Sequence, residues 1–230
     1  MKAVFKRELK SYFTTPIGYV FLAVALFFSG LTFSQIYASG YPDLTYVFIQ
    51  IFNISLFAVP VLTMRLISED RRQKVDQALF TAPVSITSIV LGKFFATLCV
   101  YISSLAITLV FQFIMAMYSP VDWTVYLSNL IGVILLGAAL VSIGLFISAL
   151  TENQLVAAIG SFAVSLLLLQ MDSFTGNAVL EKIISYLSFS AKYSDFVIGI
   201  LSYANVIFFL SVAVLFVFLT VRVLEKKRWA

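Results

Sequence analysis

RLISEDRRQKVDQALFTAPVSITSIVLGK occupies residues 65–93 and is the one long break in membrane-grade hydrophobicity in the first two-thirds of the chain. Around this break, 61% of the 230 residues are hydrophobic, 11% are charged and the mean hydropathy is +1.03. These values lie well outside the range of soluble domains and indicate a polytopic membrane protein. The break decides the fold because it separates two apolar segments and fixes one side of the membrane.

Six apolar segments flank the break or follow it. About 20 apolar residues cross the hydrocarbon core of a bilayer as a helix, and residues 18–37, 44–66, 94–118, 125–150, 154–171 and 204–223 approach or exceed that length. The fourth and fifth segments are separated by Thr151, Glu152 and Asn153 alone, which predicts a tight helical hairpin, with one long kinked helix as the alternative. We therefore predict an all-α polytopic membrane protein with six transmembrane helices in a single domain, residues 1–230.

The basic residues set the orientation. Thirteen of the fifteen Lys and Arg residues lie in the N-terminal segment, in residues 65–93 or in the C-terminal tail. Because Lys and Arg concentrate on the cytoplasmic side of membrane proteins, both termini and the 65–93 loop are predicted to be cytoplasmic. The connections at residues 39–43 and 119–123 carry acidic residues and no basic ones, so they are predicted to be outer loops.

Two further segments are amphipathic and too short to span. In residues 1–16, Phe5, Tyr12 and Phe13 recur at helical spacing while the basic residues occupy other faces. This pattern predicts an interfacial helix on the inner leaflet. Residues 172–202 predict one or two short outer helices, which either dip into the outer leaflet with Tyr186, Phe189, Tyr193 and Phe196 at headgroup depth or form an ordinary helical lid.

Composition removes several kinds of chemistry. The chain has no His, which excludes His-based catalysis and His metal sites, and its single Cys99 excludes an intrachain disulfide and a Cys metal site. A phosphate-binding loop of the Walker A type needs a Gly five positions before its Gly-Lys. Gly92-Lys93 has Thr87 at that position and Phe94 after it. We therefore predict that the chain is not an enzyme, binds no metal and does not bind ATP itself.

The apolar segments also lack charge. No Asp, Glu, Lys or Arg lies near the middle of a predicted span, whereas ion-coupled carriers usually need an intramembrane ionisable group. The polar residues inside the spans are predicted either to hydrogen-bond between helices or to line a path for a substrate: Gln35, Gln50, Asn53, Gln112, Asn129 and Gln170. Small residues spaced by four, as in Gly144 and Ser148, predict close helix packing within the chain or at a subunit interface.

The 65–93 loop itself contains a short amphipathic helix. Val75, Leu79 and Ala82 lie on one helical face with Ala78, and Pro83 ends the helix. Ser85 is a suitable N-cap for the helix that leads into the third span. A lipid-binding loop would be nearly single-signed, whereas this loop mixes signs, which favours a protein partner over a solvated loop that only enforces topology. The charged residues before and within the short helix are Glu69, Asp70, Arg71, Arg72, Lys74 and Asp76.

Four stretches of the chain carry recognisable sequence patterns. They are FKRELKSYFTTPIGYV at residues 5–20, the loop extended to Phe94, GLFISALTENQLVAAI at residues 144–159 and FLTVRVLEKKRW at residues 218–229. On these stretches the chain resembles the membrane subunits of ABC-2-type ABC transporters, specifically the GldF-like permeases. Many relatives carry Gly-Thr where this chain has Lys74-Val75.

The resemblance implies an architecture and a function. Residues 1–16 would form the elbow-like interfacial helix, residues 67–93 the cytoplasmic coupling loop between spans two and three, and residues 172–202 the extracytoplasmic segment. The chain would be the permease subunit of an ATP-driven exporter in a bacterial cytoplasmic membrane. Two sets of residues follow from the resemblance: for the contact with the ATPase Glu69, Asp70, Arg71, Arg72, Lys74, Asp76, Leu79 and Pro83, and for the interfacial helix Phe5, Arg7, Glu8, Tyr12 and Phe13.

The implied partners are other subunits and the lipid bilayer, and no nucleic acid. Two cytoplasmic ABC ATPase subunits would bind ATP and Mg²⁺, so this chain would need no cofactor. A second copy or a paralogue of the permease would complete the membrane dimer, and an auxiliary membrane or extracytoplasmic subunit is a further possible partner. The alternatives left open by the residues are an ATP-independent secondary carrier or channel, and a membrane anchor subunit that transports nothing.

Overall fold

The computed structural model describes residues 1–40, 43–74, 85–170 and 188–229. Within these ranges the chain forms nine α-helices and no strand. In chain order they are α1 (Lys2–Thr14), α2 (Pro16–Ser39), α3 (Thr45–Thr63), α4 (Ser68–Arg72), α5 (Ile86–Ala116), α6 (Trp123–Leu150), α7 (Gln154–Gln170), α8 (Phe189–Val197) and α9 (Tyr203–Trp229).

The long helices match the predicted spans. By length and composition, α2, α3 together with α4, α5, α6 and α9 are each able to cross a membrane. The predicted fifth span is α7, which has 17 residues up to the end of its described range. The all-α polytopic fold is therefore confirmed, with five long apolar helices and one shorter one in the described part of the chain.

Helix α6 is the centre of the bundle. It contacts α3, α5, α7, α8 and α9, and its middle turns are almost wholly buried. Its glycines allow the close approach that small residues predicted: a side chain at Gly137 would overlap the ring of Tyr101, and one at Gly144 would overlap Thr63. These contacts are within the chain, so intrachain packing accounts for both glycines.

The hairpin between the fourth and fifth spans is present. Helix α6 ends at Leu150, α7 begins at Gln154, and the two helices pack against each other. The backbone N–H of Asn153 donates to Thr151 Oγ1 at 3.1 Å, and that of Leu155 donates to Asn153 Oδ1 at 2.9 Å. The three connecting residues thus supply their own turn, and a single kinked helix is excluded.

The third span begins earlier than the hydropathy predicts. Helix α5 starts at Ile86 with Ser85 as the predicted N-cap, whose Oγ accepts from the Ser88 N–H at 3.3 Å. Residues 86–93 therefore belong to a transmembrane helix and not to the coupling loop, and Lys93 lies inside that helix. In the sequence, the charge on Lys93 marks the end of the loop and the start of the apolar segment. In the structure, nearby carboxylates pair with this charge, so Lys93 can lie inside the helix.

The outer segment has one helix in its described part. The aromatic side chains of α8 are buried against the protein and do not face lipid, with Phe189, Tyr193 and Phe196 all nearly inaccessible. Phe196 packs where a side chain on Gly132 of α6 would otherwise lie. Of the two interpretations of this segment, the helical lid therefore describes α8, while Tyr186 lies outside the described residues.

Candidate coupling site

Helix α1 is seated on the bundle through Tyr12. The Tyr12 hydroxyl donates to the Leu62 carbonyl oxygen of α3 at 3.0 Å and lies 3.0 Å from the Thr97 hydroxyl of α5. A side chain on Gly18 would overlap the Tyr12 carbonyl, so glycine is required where α1 turns into α2. Burial raises the pKa of Tyr12, which keeps its hydroxyl neutral. The interfacial helix is thus also an integral part of the inner half of the protein.

Next to Tyr12 lies an ionic cluster made by three separate elements. Lys93 Nζ of α5 is 2.8 Å from Asp70 Oδ2 of α4 and 3.0 Å from Glu8 Oε1 of α1. Arg7 lies 2.6 Å from Glu8 and 3.7 Å from Asp70. The Lys93 side chain is 3% exposed, and a charge so buried requires close partners because its desolvation is costly. We call Arg7, Glu8, Asp70 and Lys93 the elbow cluster.

Within the elbow cluster, the neighbouring cations keep the carboxyl group of Glu8 ionised. Burial on its own would favour the neutral carboxyl, but the Lys93 ammonium and the hydrogen bond from Arg7 outweigh it and lower the pKa of Glu8. Glu8 is therefore ionised at neutral pH, and its negative charge contributes to holding Lys93 inside the protein.

Arg65 extends the cluster towards the α1–α2 corner. Its guanidinium pairs with Glu69 at 3.3 Å, donates to Thr15 Oγ1 at 3.0 Å and also donates to Ser11 Oγ. It lies 5.8 Å from the centre of the Tyr12 ring, within cation–π range. The segment that follows α3 is therefore fixed to the last turn of α1 and to Thr15, the residue before α2.

The other side of α4 is attached to the α6–α7 hairpin. Ser148 Oγ accepts from the backbone N–H groups of Ile67 and Ser68 at 3.1 and 3.0 Å and donates to the Met64 carbonyl at 3.1 Å. A serine on α6 thus satisfies the free amides at the start of α4, as a helix cap does. Arg71 pairs with Glu152 of the hairpin at 2.6 Å and donates to the Ala149 carbonyl at 3.2 Å.

The last helix reaches the same place. Lys227 Nζ of α9 donates to the Ala149 carbonyl at 2.9 Å, the carbonyl that also accepts from Arg71. Short helix α4, which opens the loop predicted to be cytoplasmic, is therefore connected directly or through one residue to α1, α5, α6 and α9. A displacement of α4 would disturb all of these contacts together.

Comparison with known protein families shows which kind of protein carries this site. The family model described as ABC-2 type transporter matches residues 1–177 of the 230-residue chain. The chain belongs to the ABC-2 type transporter family. It is the membrane-spanning permease component of an ABC-type transporter and a multi-pass membrane protein. No curated protein matches the chain, and the narrower likeness to GldF-like permeases stays a prediction.

In this ABC-2 permease, the residues predicted for the coupling loop divide into three groups. Asp70 lies in the elbow cluster, Glu69 pairs with Arg65, and Arg71 pairs with the hairpin, so these three anchor the loop. Arg72 and Lys74 are exposed. The remaining predicted contacts, Asp76, Leu79 and Pro83, lie outside the described residues.

The residues predicted for the interfacial helix of the permease differ in how deeply they are buried. Glu8 and Tyr12 face the bundle, and the more exposed Arg7 pairs with Glu8 and Asp70, so all three join the coupling-loop residues. No local sequence pattern connects the two sets. Phe5 is half-buried, and Phe13 is exposed with its ring 6.1 Å from that of Tyr19.

Lys74 marks the departure of this permease from the family pattern and has an unusual backbone. Its φ angle is +57°, the only positive value of a non-glycine residue in the described ranges. Glycine adopts this left-handed conformation without penalty, whereas other residues pay about 1–2 kcal/mol. The Gly expected from the resemblance would therefore suit the observed conformation better than Lys74 does.

Sequence reasoning missed Lys93, Arg65, Ser148 and Glu152. A signal for Lys93 was present, since Ile86, Ile89 and Val90 continue an apolar helical pattern from the Ser85 cap into the third span. Glu8, an acidic residue among the four basic residues of the N-terminal segment, was a second signal. Ser148 resembled the other small residues of α6, and nothing in its sequence context distinguished it as a cap.

Proposed function

We propose that this permease exports its substrate by alternating access, driven by separate cytoplasmic ATPase subunits that dock on the loop beginning with α4. The supporting observation is the double attachment of α4, to α1 and α5 through Asp70 and to the α6–α7 hairpin through Ser148 and Arg71. ATP can shift a conformational equilibrium only by contacts that differ between the two states. Because α4 is attached to helices on both of its sides, a change in its contacts with an ATPase would move the spanning helices as well.

The competing functions receive less support. In the described residues, the charged side chains of the spanning helices lie near their predicted cytoplasmic ends, and Lys93, the eighth residue of α5, is paired with cytoplasmic elements. This position does not provide the mid-membrane ionisable group of an ion-coupled carrier. A transport-inactive anchor would have no use for a loop helix attached to four other helices.

The proposed partners follow the family. Two ATPase subunits would lie beneath two permease subunits, identical or paralogous, in a bacterial cytoplasmic membrane, with an auxiliary extracytoplasmic subunit where one exists. ATP and Mg²⁺ would be held by the ATPase subunits.

The docking step can be tested on the tagged permease purified from its native membranes, with mass spectrometry identifying the co-purified ATPase. Because Asp70 and Arg71 are structural anchors, the informative changes are Arg72→Glu with Lys74→Glu, and separately Leu79→Asp. We expect loss of the ATPase and of ATP turnover in liposomes while the thermal stability of the permease is retained.

The matched control reverses two exposed charges elsewhere, Lys10→Glu with Lys226→Glu, and is expected to keep the ATPase bound. Full assembly and full ATP turnover in both loop variants would refute docking on this loop. Transport by the permease alone, without ATP, would instead support a secondary carrier.

A further inference from the structure

A cavity of about 470 Å³ lies at the outer end of the bundle. Its wall is formed by the start of α3, the end of α5 and the start of α6, together with the two outer loops. The lining includes two carboxylates, two amides and two aromatic rings, namely Asp43, Asp122, Gln112, Asn129, Phe48 and Tyr126. Ligand pockets typically have volumes of about 300–1,000 Å³, so the space suits a small organic molecule.

Asn129 supplies a buried acceptor at this cavity. The residue is 0% exposed, and its Nδ2 donates to the Val125 carbonyl at 2.9 Å and to the Val197 carbonyl at 3.3 Å. These two acceptors fix the orientation of the amide, because its oxygen would face the carbonyls if the group were flipped. Among the residues that the structure describes, the Oδ1 atom has no hydrogen-bond partner. A buried polar atom without a partner is costly. Because this oxygen has almost no accessible surface, a donor brought by a ligand would remove the cost after a small shift of the cavity wall.

The rim adds negative charge and no positive charge. Asp43 uses one carboxylate oxygen to accept from the Thr45 N–H at 2.9 Å, and Asp122 makes no side-chain cap bond to α6. No Lys or Arg is among the lining residues that the structure describes. A ligand that fits this rim is a cation, and one that also satisfies Asn129 Oδ1 carries N–H groups.

Two aromatic rings also line the cavity. Phe48 and Tyr126 are both buried and meet edge to face, with ring centres 5.5 Å apart. Tyr126 is held by a hydrogen bond to the Thr108 hydroxyl at 3.0 Å. Aromatic faces bind organic cations and apolar carbon atoms, whereas a bare metal ion would leave most of the volume unfilled. Among the described residues no group of three or more acidic, His or Cys side chains is placed to hold a metal.

We propose that this outer cavity binds a small primary ammonium compound whose carbon skeleton contacts Phe48 and Tyr126. The ammonium group donates to Asn129 Oδ1 and is attracted by Asp43 and Asp122. That this ligand is a transported substrate rests on the proposed function. Its binding from the outer side needs no ATPase and can be measured on its own.

The test uses the purified permease in lipid nanodiscs and isothermal titration with benzylammonium chloride, with benzyl alcohol as the neutral probe of similar shape. We expect saturable binding of benzylammonium and no measurable binding of benzyl alcohol at the same concentrations. The double variant Asp43→Asn/Asp122→Asn keeps the side-chain shape and is expected to bind at least about tenfold more weakly.

Two further variants sharpen the result. Asn129→Leu removes the buried acceptor and is expected to abolish binding, with its thermal stability measured in parallel. Glu225→Gln removes a surface carboxylate near the end of α9, far along the chain from the cavity, and is expected to bind as the unchanged protein does. Equal binding of the two probes, absence of saturable benzylammonium binding, or unaltered affinity in the Asp43→Asn/Asp122→Asn variant would overturn the proposal. None of these outcomes depends on whether an ATPase docks on the cytoplasmic loop.

Discussion

At the scale of single residues, Lys93 determines how the inner half of the permease is held together. Its ammonium group is removed from water and is compensated by two carboxylates from different helices. A buried ion pair adds little net stability compared with an apolar pair, but removal of one partner leaves an uncompensated charge. The elbow cluster therefore specifies which elements meet, and its integrity is sensitive to each member.

Lys93→Met should destabilise the permease by about 3 kcal/mol, because it leaves the buried carboxylates of Glu8 and Asp70 with only the more exposed Arg7 to compensate their charges. The measurement is thermal or denaturant unfolding in detergent, with Lys10→Met, an exposed lysine on α1, as the control. Adding Asp70→Asn to Lys93→Met should recover part of the loss, since the two residues are coupled. Equal stability of Lys93→Met and Lys10→Met would contradict the assignment.

The pH dependence follows from Glu8. Its pKa is lower in the folded protein than the ordinary value of 4.5, so ionised Glu8 contributes stability that is fully present above about pH 4.5 and is lost as the pH falls through the folded pKa. Glu8→Gln should therefore be less stable than the unchanged protein at pH 7 and should lose less stability on acidification. Unfolding midpoints measured from pH 7 down to about pH 3 test this, and parallel curves for the two proteins would refute it.

At the scale of helices, close backbone approach sets the packing of α3 on α6. Gly144 of α6 lies against Thr63 near the end of α3, one turn before Ser148 caps α4. The position of α4 thus depends on how closely these two helices approach. Van der Waals packing between helices with small residues is a main source of stability in membrane proteins.

Gly144→Ala should cost about 1–3 kcal/mol, because the added methyl group would force α3 and α6 apart. The matched control is Gly30→Ala on α2, where an added methyl group meets no atom within 4 Å. That change should be neutral or stabilise by about 0.5–1 kcal/mol, since alanine is the better helix former. Equal unfolding midpoints for the two variants would show that the close approach at Gly144 is not important for stability.

The sequence predicted the helices well and the contacts among them poorly. The spans, the hairpin at Thr151–Asn153 and the Ser85 cap follow from local hydropathy and capping chemistry, which neighbouring residues determine. Lys93 was assigned to the loop because hydropathy treats every charge as exposed. Its partners are 85 and 23 positions away along the chain, and only tertiary structure brings them together. Likewise, no local pattern connects Ser148 with the amides of Ile67 and Ser68.

At the scale of the whole molecule, the cytoplasmic contacts form a continuous path from the loop to the bundle. Asp70 leads to α1 and α5, and Ser148 and Arg71 lead to the α6–α7 hairpin. In the proposed transport cycle, both branches would move with α4.

Ser148→Ala should separate docking from coupling. It removes the acceptor for two backbone N–H groups, which should cost about 1–3 kcal/mol, but leaves the exposed part of the loop intact. We expect ATPase co-purification to be retained while transport-linked ATP turnover in liposomes falls severalfold, and Ser148→Thr, which keeps the hydroxyl, to remain near normal. Normal turnover in Ser148→Ala would exclude this branch of the path.

The seating of Tyr12 also has a consequence for the order of biosynthesis. Its hydroxyl bonds with residues 50 and 85 positions later in the chain. At a synthesis rate of about 5–20 residues per second, α1 waits roughly 4–17 s after its own translation before Thr97 exists. During that interval its amphipathic surface can rest on the inner leaflet. Helix α1 is thus translated before the residues that hold it, and it reaches its native place only after α3 and α5 have been made.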